Sequence, residues 1–230
     1  MKSYKYLPIV TGLFTAVLLI SNILDVKIFK IFDFGFFALD SFNMPAGVLI
    51  FPLGYVFGDL LTEVYGYAAS RKVIWTGFAS LLLYVIFSQL AVMLPAGDGW
   101  ELNDQFNTVL THVPRIVIAS MAAYFAGEFT NSFILAKMKV KTKGKGMAKR
   151  FVVSTIFGQL IDTTVFVLIA YAGQMPLYIL ISVLIPAWLF KVAWETVALP
   201  LSIPLVKWLK KVENEDYYDK NTDFNPFKLS

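Results

Sequence analysis

Five carboxylates, Asp59, Glu63, Glu128, Asp162 and Glu195, sit in stretches that are otherwise apolar, together with Lys191, Asn22, Asn131 and Gln159. A charge at mid-bilayer costs about 2.5–3.5 kcal/mol on insertion scales, so such groups need a return. Lys191 and Glu195 are one turn apart on one helical face and can neutralise each other. The other four acids must then face a wet cavity, hold protons, or hold a ligand or cation. Asp59 and Glu63 are spaced i, i+4 and share a face. Glu128 and Asp162 each fall about half-way along their segments, the common depth that one central pocket requires. Trp194 adjoins Glu195, Phe157 precedes Asp162, and Tyr124 lies one turn before Glu128. A carboxylate can accept two hydrogen bonds at once from a ring N–H and a neighbouring amino group, and an amide can read a carbonyl edge. Acids, amides and aromatic faces together suit a flat heterocycle bearing N–H donors.

Catalytic chemistry finds little here. There is no Cys and one His, His112, in a polar loop where we assign it no role. Disulfides and thiolate metal sites are excluded, and His-based triads nearly so. The sequence has neither a GxSxG elbow nor an HExxH helix. We therefore expect no catalytic residues, no metal, no cofactor and no enzyme activity.

The elements that would position these groups are membrane helices. The 230 residues are 57% hydrophobic and 16% charged, against about 45–50% and about 25% for a soluble domain. A spanning helix needs roughly 20 apolar residues. Six segments qualify: Leu7–Val26, Pro45–Tyr65, Val73–Leu94, Pro114–Ala136, Phe151–Gly173 and Leu177–Leu199. The first is too long, and lacks the cleavage site, to be a signal peptide. Sixteen of the 20 Lys and Arg fall at the termini and in the loops after spans two and four. By the positive-inside rule these are cytoplasmic, and both termini lie inside. The run Lys137–Arg150 abuts two spans. It reads as a positive-inside anchor meeting anionic headgroups, and no nucleic-acid partner is expected. The predicted fold is an all-α membrane protein with a transmembrane domain over 1–211 and a polar cytoplasmic tail over 212–230, partly ordered at its DFNPF end.

FGDLLTE (Phe57–Glu63) and FGQLIDT (Phe157–Thr163) align, as do the positions of Asn22 and Asn131. Three spans per half then predict two inverted-topology repeats, over about 7–94 and 114–209, with a midplane site between them. Small-residue stripes at Gly54/Gly58, Ala119/Ala123/Gly127 and Gly12/Ala16 serve either bundle packing or a homodimer. Pro52 and Pro186 are expected to kink their spans, and Pro200 and Pro204 to break the last one. The Phe-rich, partly alternating Lys27–Phe42 reads as a hairpin or re-entrant lid over the pocket mouth.

Gly58–Trp75, Gly127–Lys139, Phe157–Phe166, Lys191–Lys210 and the FNPF tail together resemble the queuosine precursor transporter family, also called the vitamin uptake transporter family. The likeness runs from about Asn22 to the tail. It implies a six-helix, multi-pass importer of the bacterial inner membrane. The implied substrates are 7-cyano-7-deazaguanine and 7-aminomethyl-7-deazaguanine, precursors of the tRNA base queuosine. Set against that substrate, the residue reading assigns Glu128 or Asp162 to the donor edge of the base, Asn131 and Gln159 to amide contacts, and Trp194 or Phe157 to stacking. Asp59 and Glu63 would carry a coupling proton or meet the aminomethyl cation. The family is similar in turn to substrate-binding components of energy-coupling-factor transporters, which close with the first external loop. An energy-coupled subunit for another vitamin-like heterocycle is the alternative. Such subunits dock through Ala-x-x-x-Ala on span one. Gly12–Ala16 departs from that pattern, which argues against a coupling ATPase module.

Overall fold

The computed structural model describes residues 4–24, 27–30, 43–111, 114–173 and 176–228. His112 and most of the Phe-rich segment, residues 31–42, lie outside them. Seven α-helices are described: α1 (Leu7–Leu24), α2 (Phe51–Tyr65), α3 (Tyr67–Met93), α4 (Asn103–Thr111), α5 (Pro114–Lys141), α6 (Met147–Tyr171) and α7 (Leu177–Glu213). One antiparallel ribbon joins β1 (Ile28–Lys30) to β2 (Asn43–Pro45), with Ile28 opposite Pro45 and Lys30 opposite Asn43. The ends of the Phe-rich segment are thus closed on each other. Among the described residues the remaining regular structure is helical.

The surface is inverted relative to a soluble protein. Leu83, Phe87, Leu168, Leu189, Val197 and Leu201 are exposed, whereas Arg71, Glu63, Glu128, Gln159 and Arg150 are buried. Apolar outside and polar inside is the arrangement a bilayer imposes. Among the described residues, four helical stretches are long and apolar enough to cross a membrane: Leu7–Leu24, Tyr67–Met93, Met147–Ala170 and Leu184–Glu213.

Several expectations are corrected. Pro45–Tyr65 is not one span-length helix, because β2 runs into a 3-10 turn (Ala46–Leu49) and α2 has 15 residues, about 22 Å at helical rise. Pro52 does not kink it. It sits in the first turn of α2, where no intrahelical N–H is lost. α3 begins at Tyr67 rather than Val73. Pro200 and Pro204 do not break the last helix either: α7 runs continuously for 37 residues through Pro186, Pro200 and Pro204. Neighbouring helices and local adjustment absorb prolines in such bundles. The stretch from Leu177 to Glu213 is about 55 Å long at 1.5 Å per residue, so its basic end projects past the apolar layer.

Contacts between helix ends fix the directions. The N–H groups of Lys5 and Tyr6, before α1, donate to Glu213 at the end of α7, at 3.0 and 2.6 Å. Gly66 alone joins α2 to α3, at φ +84°, and a Cβ there would fall 2.3 Å from the Tyr217 ring. Arg71, Lys139, Arg150 and Lys210 converge on this end. The residues counted as cytoplasmic are therefore brought to one end. Helices α1, α3 and α6 run away from it, and α2, α5 and α7 run towards it.

The tail is not a loose polar extension. Residues 214–228 form a strap over that end. Arg71 Nη1 donates to the carbonyls of Asp223 and Asn225 at 2.9 and 2.6 Å. Trp75 Nε1 donates to Pro226 at 2.8 Å, and Phe224 packs on Tyr67 at 4.9 Å between ring centroids.

Two glycines let α5 and α6 meet. A Cβ on Gly127 would lie 2.5 Å from the Asp162 Cβ, and one on Gly158 would lie 2.8 Å from the Asn131 Cβ. The Gly127 stripe therefore serves internal packing, as does Gly58. Gly12 has nothing within 4 Å.

Candidate substrate site

The glycine crossing sets the site. Because Gly127 and Gly158 carry no side chain, the halves of α5 and α6 that bear Glu128, Asn131, Gln159 and Asp162 are drawn together. On the other side of α5, a Cβ on Gly58 would fall 2.2 Å from Glu128 Oε1. Glycine on α2 is what leaves room for that carboxylate.

Around this point the polar side chains link four helices. Asn131 Nδ2 on α5 donates to Asp59 Oδ1 on α2 at 2.7 Å. On α6, Thr155 Oγ1 donates to Glu195 Oε2 of α7, and Gln159 Nε2 to Oε1, both at 2.5 Å. Lys191 Nζ on α7 reaches Asp162 Oδ2 at 2.5 Å and lies 5.0 Å from the centre of the Phe51 ring. The expected Lys191–Glu195 pair is thus replaced. Spacing on one helix allowed it, but a carboxylate on the facing helix captures the ammonium.

Compensation is uneven among the acids. Asp162 has a cation, Glu195 two donors and Asp59 one. Glu128 is fully buried and receives the Ser132 hydroxyl at 3.3 Å on Oε1, while Oε2 has no hydrogen-bond partner among the described residues. The Tyr124 hydroxyl neighbours it without completing an aligned hydrogen bond. Tyr55 Oη, Asn131 Oδ1, Gln159 Oε1 and Thr163 Oγ1 are also buried without a partner among the described residues. Buried polar atoms are almost always satisfied, and each exception costs about 1–3 kcal/mol. Several such atoms gather around this polar cluster.

Aromatic rings wall the cluster on the α2 side. Tyr55 and Tyr124 have centroids 6.1 Å apart, Phe51 and Tyr55 5.1 Å, and Phe78 and Tyr124 5.9 Å. The helices close tightly here. A cavity of about 10 Å³, lined by Asp59, Thr155, Glu195 and Ser202 among others, has room for about one water.

Not every expected residue arrives. Phe157 and Trp194 are 51% and 46% exposed and face outward, so neither walls the cluster. Asn22 is buried, but its Nδ2 donates to Leu18 on its own helix. Glu63 points towards the strap. Arg150 Nε and Nη2 clasp it at 2.8 and 2.6 Å, and Lys210 Nζ adds a contact at 2.5 Å. Asp59 and Glu63 share a face, yet one turn carries Glu63 out of the polar cluster into this ionic layer.

Residues unmarked in the sequence complete the site: Tyr55, Thr155, Ser132 and Phe51. Tyr55 lies one turn before Asp59, Thr155 one turn before Gln159, and Ser132 one turn after Glu128. That spacing from an intramembrane polar residue is the signal that finds these three; nothing in the sequence marks Phe51.

A family model described as "Putative vitamin uptake transporter" matches residues 45–205. The chain belongs to this family. It is 24% identical over 156 residues to the "Probable queuosine precursor transporter" of Bacillus subtilis, covering 67% of this chain and 68% of that protein. It is 29% identical over 137 residues to the "Probable queuosine precursor transporter" of Haemophilus influenzae, covering 57% of this chain and 53% of that protein. The chain thus spans about half of the second relative's length. No solved structure matches. Family and architecture together describe an all-α membrane protein of the vitamin uptake transporter type, with several apolar helices and a small-molecule substrate.

Proposed function

We propose that this protein imports queuosine precursors, 7-cyano-7-deazaguanine and 7-aminomethyl-7-deazaguanine, across the bacterial inner membrane. The observation that carries the reading is the unsatisfied, buried set of Glu128, Asn131, Gln159, Tyr55 and Tyr124 oxygens inside a ring of four helices. A deazaguanine carries a ring N–H and an amino group on one edge and a carbonyl beside them. Carboxylates accept from the first edge, and amide N–H groups donate to the carbonyl, as base-edge readers do elsewhere.

Glu128 or Asp162 accepts the donor edge, Asn131 and Gln159 supply amide contacts, and Tyr124 with Tyr55 or Phe51 supplies the ring face. Asp59, Lys191 and Glu195 hold these groups in place and set the local charge. A water-sized cavity does not admit a two-ring base, so binding requires α7 to move away from the cluster. In this reading α1, α2 and α3 form one repeat and α5, α6 and α7 an inverted second one. All six cross the membrane, α2 completed by the turn before it, and both termini are cytoplasmic.

Restoration of queuosine in tRNA tests this directly. The gene is placed in bacteria that neither make nor import the precursors, at limiting external concentrations. Restored queuosine supports the reading. Robust membrane expression without it refutes the substrate.

A further inference from the structure

Three hydroxyls inside this bundle bond to one another across helices. Many serine and threonine hydroxyls here donate to a carbonyl three or four residues back on their own helix, as at Thr11, Ser80, Thr130, Thr164 and Ser202. Thr62 on α2, Ser70 on α3 and Ser132 on α5 turn to one another instead. Thr62 Oγ1 lies 3.0 Å from Ser70 Oγ and 2.9 Å from Ser132 Oγ, and Ser70 and Ser132 close the triangle at 3.4 Å. All are essentially inaccessible to solvent. One corner, Ser132, donates to Glu128 Oε1 at 3.3 Å. The opposite corner is at the α2–α3 turn, where Ser70 N–H donates to the Gly66 carbonyl. Thr62 precedes Glu63, and Ser70 precedes Arg71, both anchored in the basic end.

We propose that Glu128 carries the coupling proton, and that Ser132, Thr62 and Ser70 relay it to the cytoplasmic end. The inference rests on the importer reading above and divides the two acids named there: Glu128 takes the proton and Asp162 keeps the donor edge of the base. A hydroxyl donates one hydrogen bond and accepts up to two. In a triangle each member therefore has two neighbours to choose between, and the direction of donation can reverse without breaking the ring. When Glu128 is ionised, Ser132 donates to it. When Glu128 is protonated, its O–H donates to Ser132, and Ser132 turns its own proton to Thr62. A concerted shift moves one proton from Glu128 to Ser132, one from Ser132 to Thr62, and one from Thr62 to Ser70. Ser70 passes its own to a water admitted at the Gly66 turn. Each O–H broken is matched by one formed, and Glu128 is left ionised.

The groups around Glu128 fit this role. Tyr124 is on its own helix, Tyr55 and Asp59 on α2, Asp162 on α6 and Glu195 on α7. Lys191, the cation of this cluster among the described residues, is bonded to Asp162. Glu128 thus faces acids and phenols without a cation bonded to it, and a proton is the simplest neutralising partner.

The test uses the full-length protein in proteoliposomes with 7-cyano-7-deazaguanine as probe. Two readings are taken: accumulation driven by an imposed proton gradient, and counterflow exchange, which needs no net proton release. Thr62→Val and Ser70→Ala are expected to lose gradient-driven accumulation about 100-fold while counterflow stays at the wild-type level, and Glu128→Gln is expected to lose gradient-driven accumulation as well. Thr62→Ser, which keeps the hydroxyl, is expected to retain both. Equal loss of both activities in the relay variants, or loss of neither, overturns the relay. Wild-type accumulation indifferent to the proton gradient overturns it too, and leaves the importer reading standing. Absence of wild-type counterflow instead removes the importer reading.

Discussion

Arg150 holds Glu63 in a fork, with Nε and Nη2 bonded to separate carboxylate oxygens at 2.8 and 2.6 Å and neither side chain open to solvent. The pair ties the start of α6 to the end of α2. Lys210 of α7 and Lys139 of α5 join it, and both also meet Asp216 of the strap. Removing one member of a buried pair leaves the other charge uncompensated and costs about 3–5 kcal/mol. Arg150→Ala should therefore lower the melting temperature in detergent steeply. Arg150→Lys should recover only part of it, since an ammonium cannot make both bonds. Glu63→Gln should destabilise likewise, yet leave probe affinity of the folded fraction unchanged. A large affinity loss at normal stability would return Glu63 to the binding site.

The outward-facing aromatic residues give a separate test of the site. Trp194 and Phe157 lie next to cluster residues in sequence, but both face the lipid side. Trp194→Ala and Phe157→Ala should leave probe binding unchanged. Tyr124→Ala should weaken it by about 1–3 kcal/mol, the usual value of a base on an aromatic face. The reverse ranking, measured by fluorescence titration, would place the stack on the wrong helix face here.

What was legible in the sequence divides along physical lines. Buried charge is so costly in lipid that Asp59, Glu128, Asp162 and Glu195 announced an interior cluster by their presence alone. The basic end was legible because Lys and Arg are counted, not packed. Pairing was not legible. Periodicity puts Lys191 beside Glu195, but the facing helix supplies Asp162, and only the α6–α7 packing decides between them. Helix facing was similarly hidden for Trp194, since an apolar helix shows no polar side from which to read its rotation. Apolar content misread the start of α2, where backbone pairing with Ile28–Lys30 ends the span early. Order at the DFNPF end was expected, but its partners were hidden because the anchors are backbone carbonyls of Asp223, Asn225 and Pro226, which any sequence possesses.

The glycine crossing can be separated from the other small residues by substitution. Gly158→Ala places a methyl 2.8 Å from the Asn131 Cβ and 3.1 Å from the Gly127 carbonyl. Overpacking of this kind costs about 1–3 kcal/mol, and here it also spreads the site. Gly12→Ala meets open space and should gain up to about 1 kcal/mol from helix propensity. Thermal unfolding in detergent should rank the two on opposite sides of the wild type. Comparable loss from both would mean that Gly12 is covered by another chain, and crosslinking would then show the dimer.

Two acids of the strap should respond to pH in opposite senses. Burial pushes the Asp216 carboxyl up, but hydrogen bonds from Lys139 and Lys210 outweigh it and hold the pKa below the ordinary value. Its contribution is present above the unfolded value of about 3.9 and disappears as pH falls through the lowered folded value. Asp219 is the reverse. Burial raises it, and the bonds from Thr222 and the Tyr67 N–H only partly offset this. Its ionised form is a liability that grows as pH rises from about 3.9 towards the raised folded value. At neutral pH, Asp216→Asn should destabilise by about 1 kcal/mol or less, since this acid is partly exposed. Asp219→Asn keeps an oxygen for the Tyr67 N–H and should be neutral or stabilising. Both differences should shrink as the pH falls to about 4 and below, where the wild-type carboxyls are protonated in the unfolded chain. Tryptic cleavage after Lys220 reports strap release alongside the melting temperature. If Asp216→Asn frees Lys220 no faster than wild type at pH 7, the ion pairs with Lys139 and Lys210 do not hold the strap.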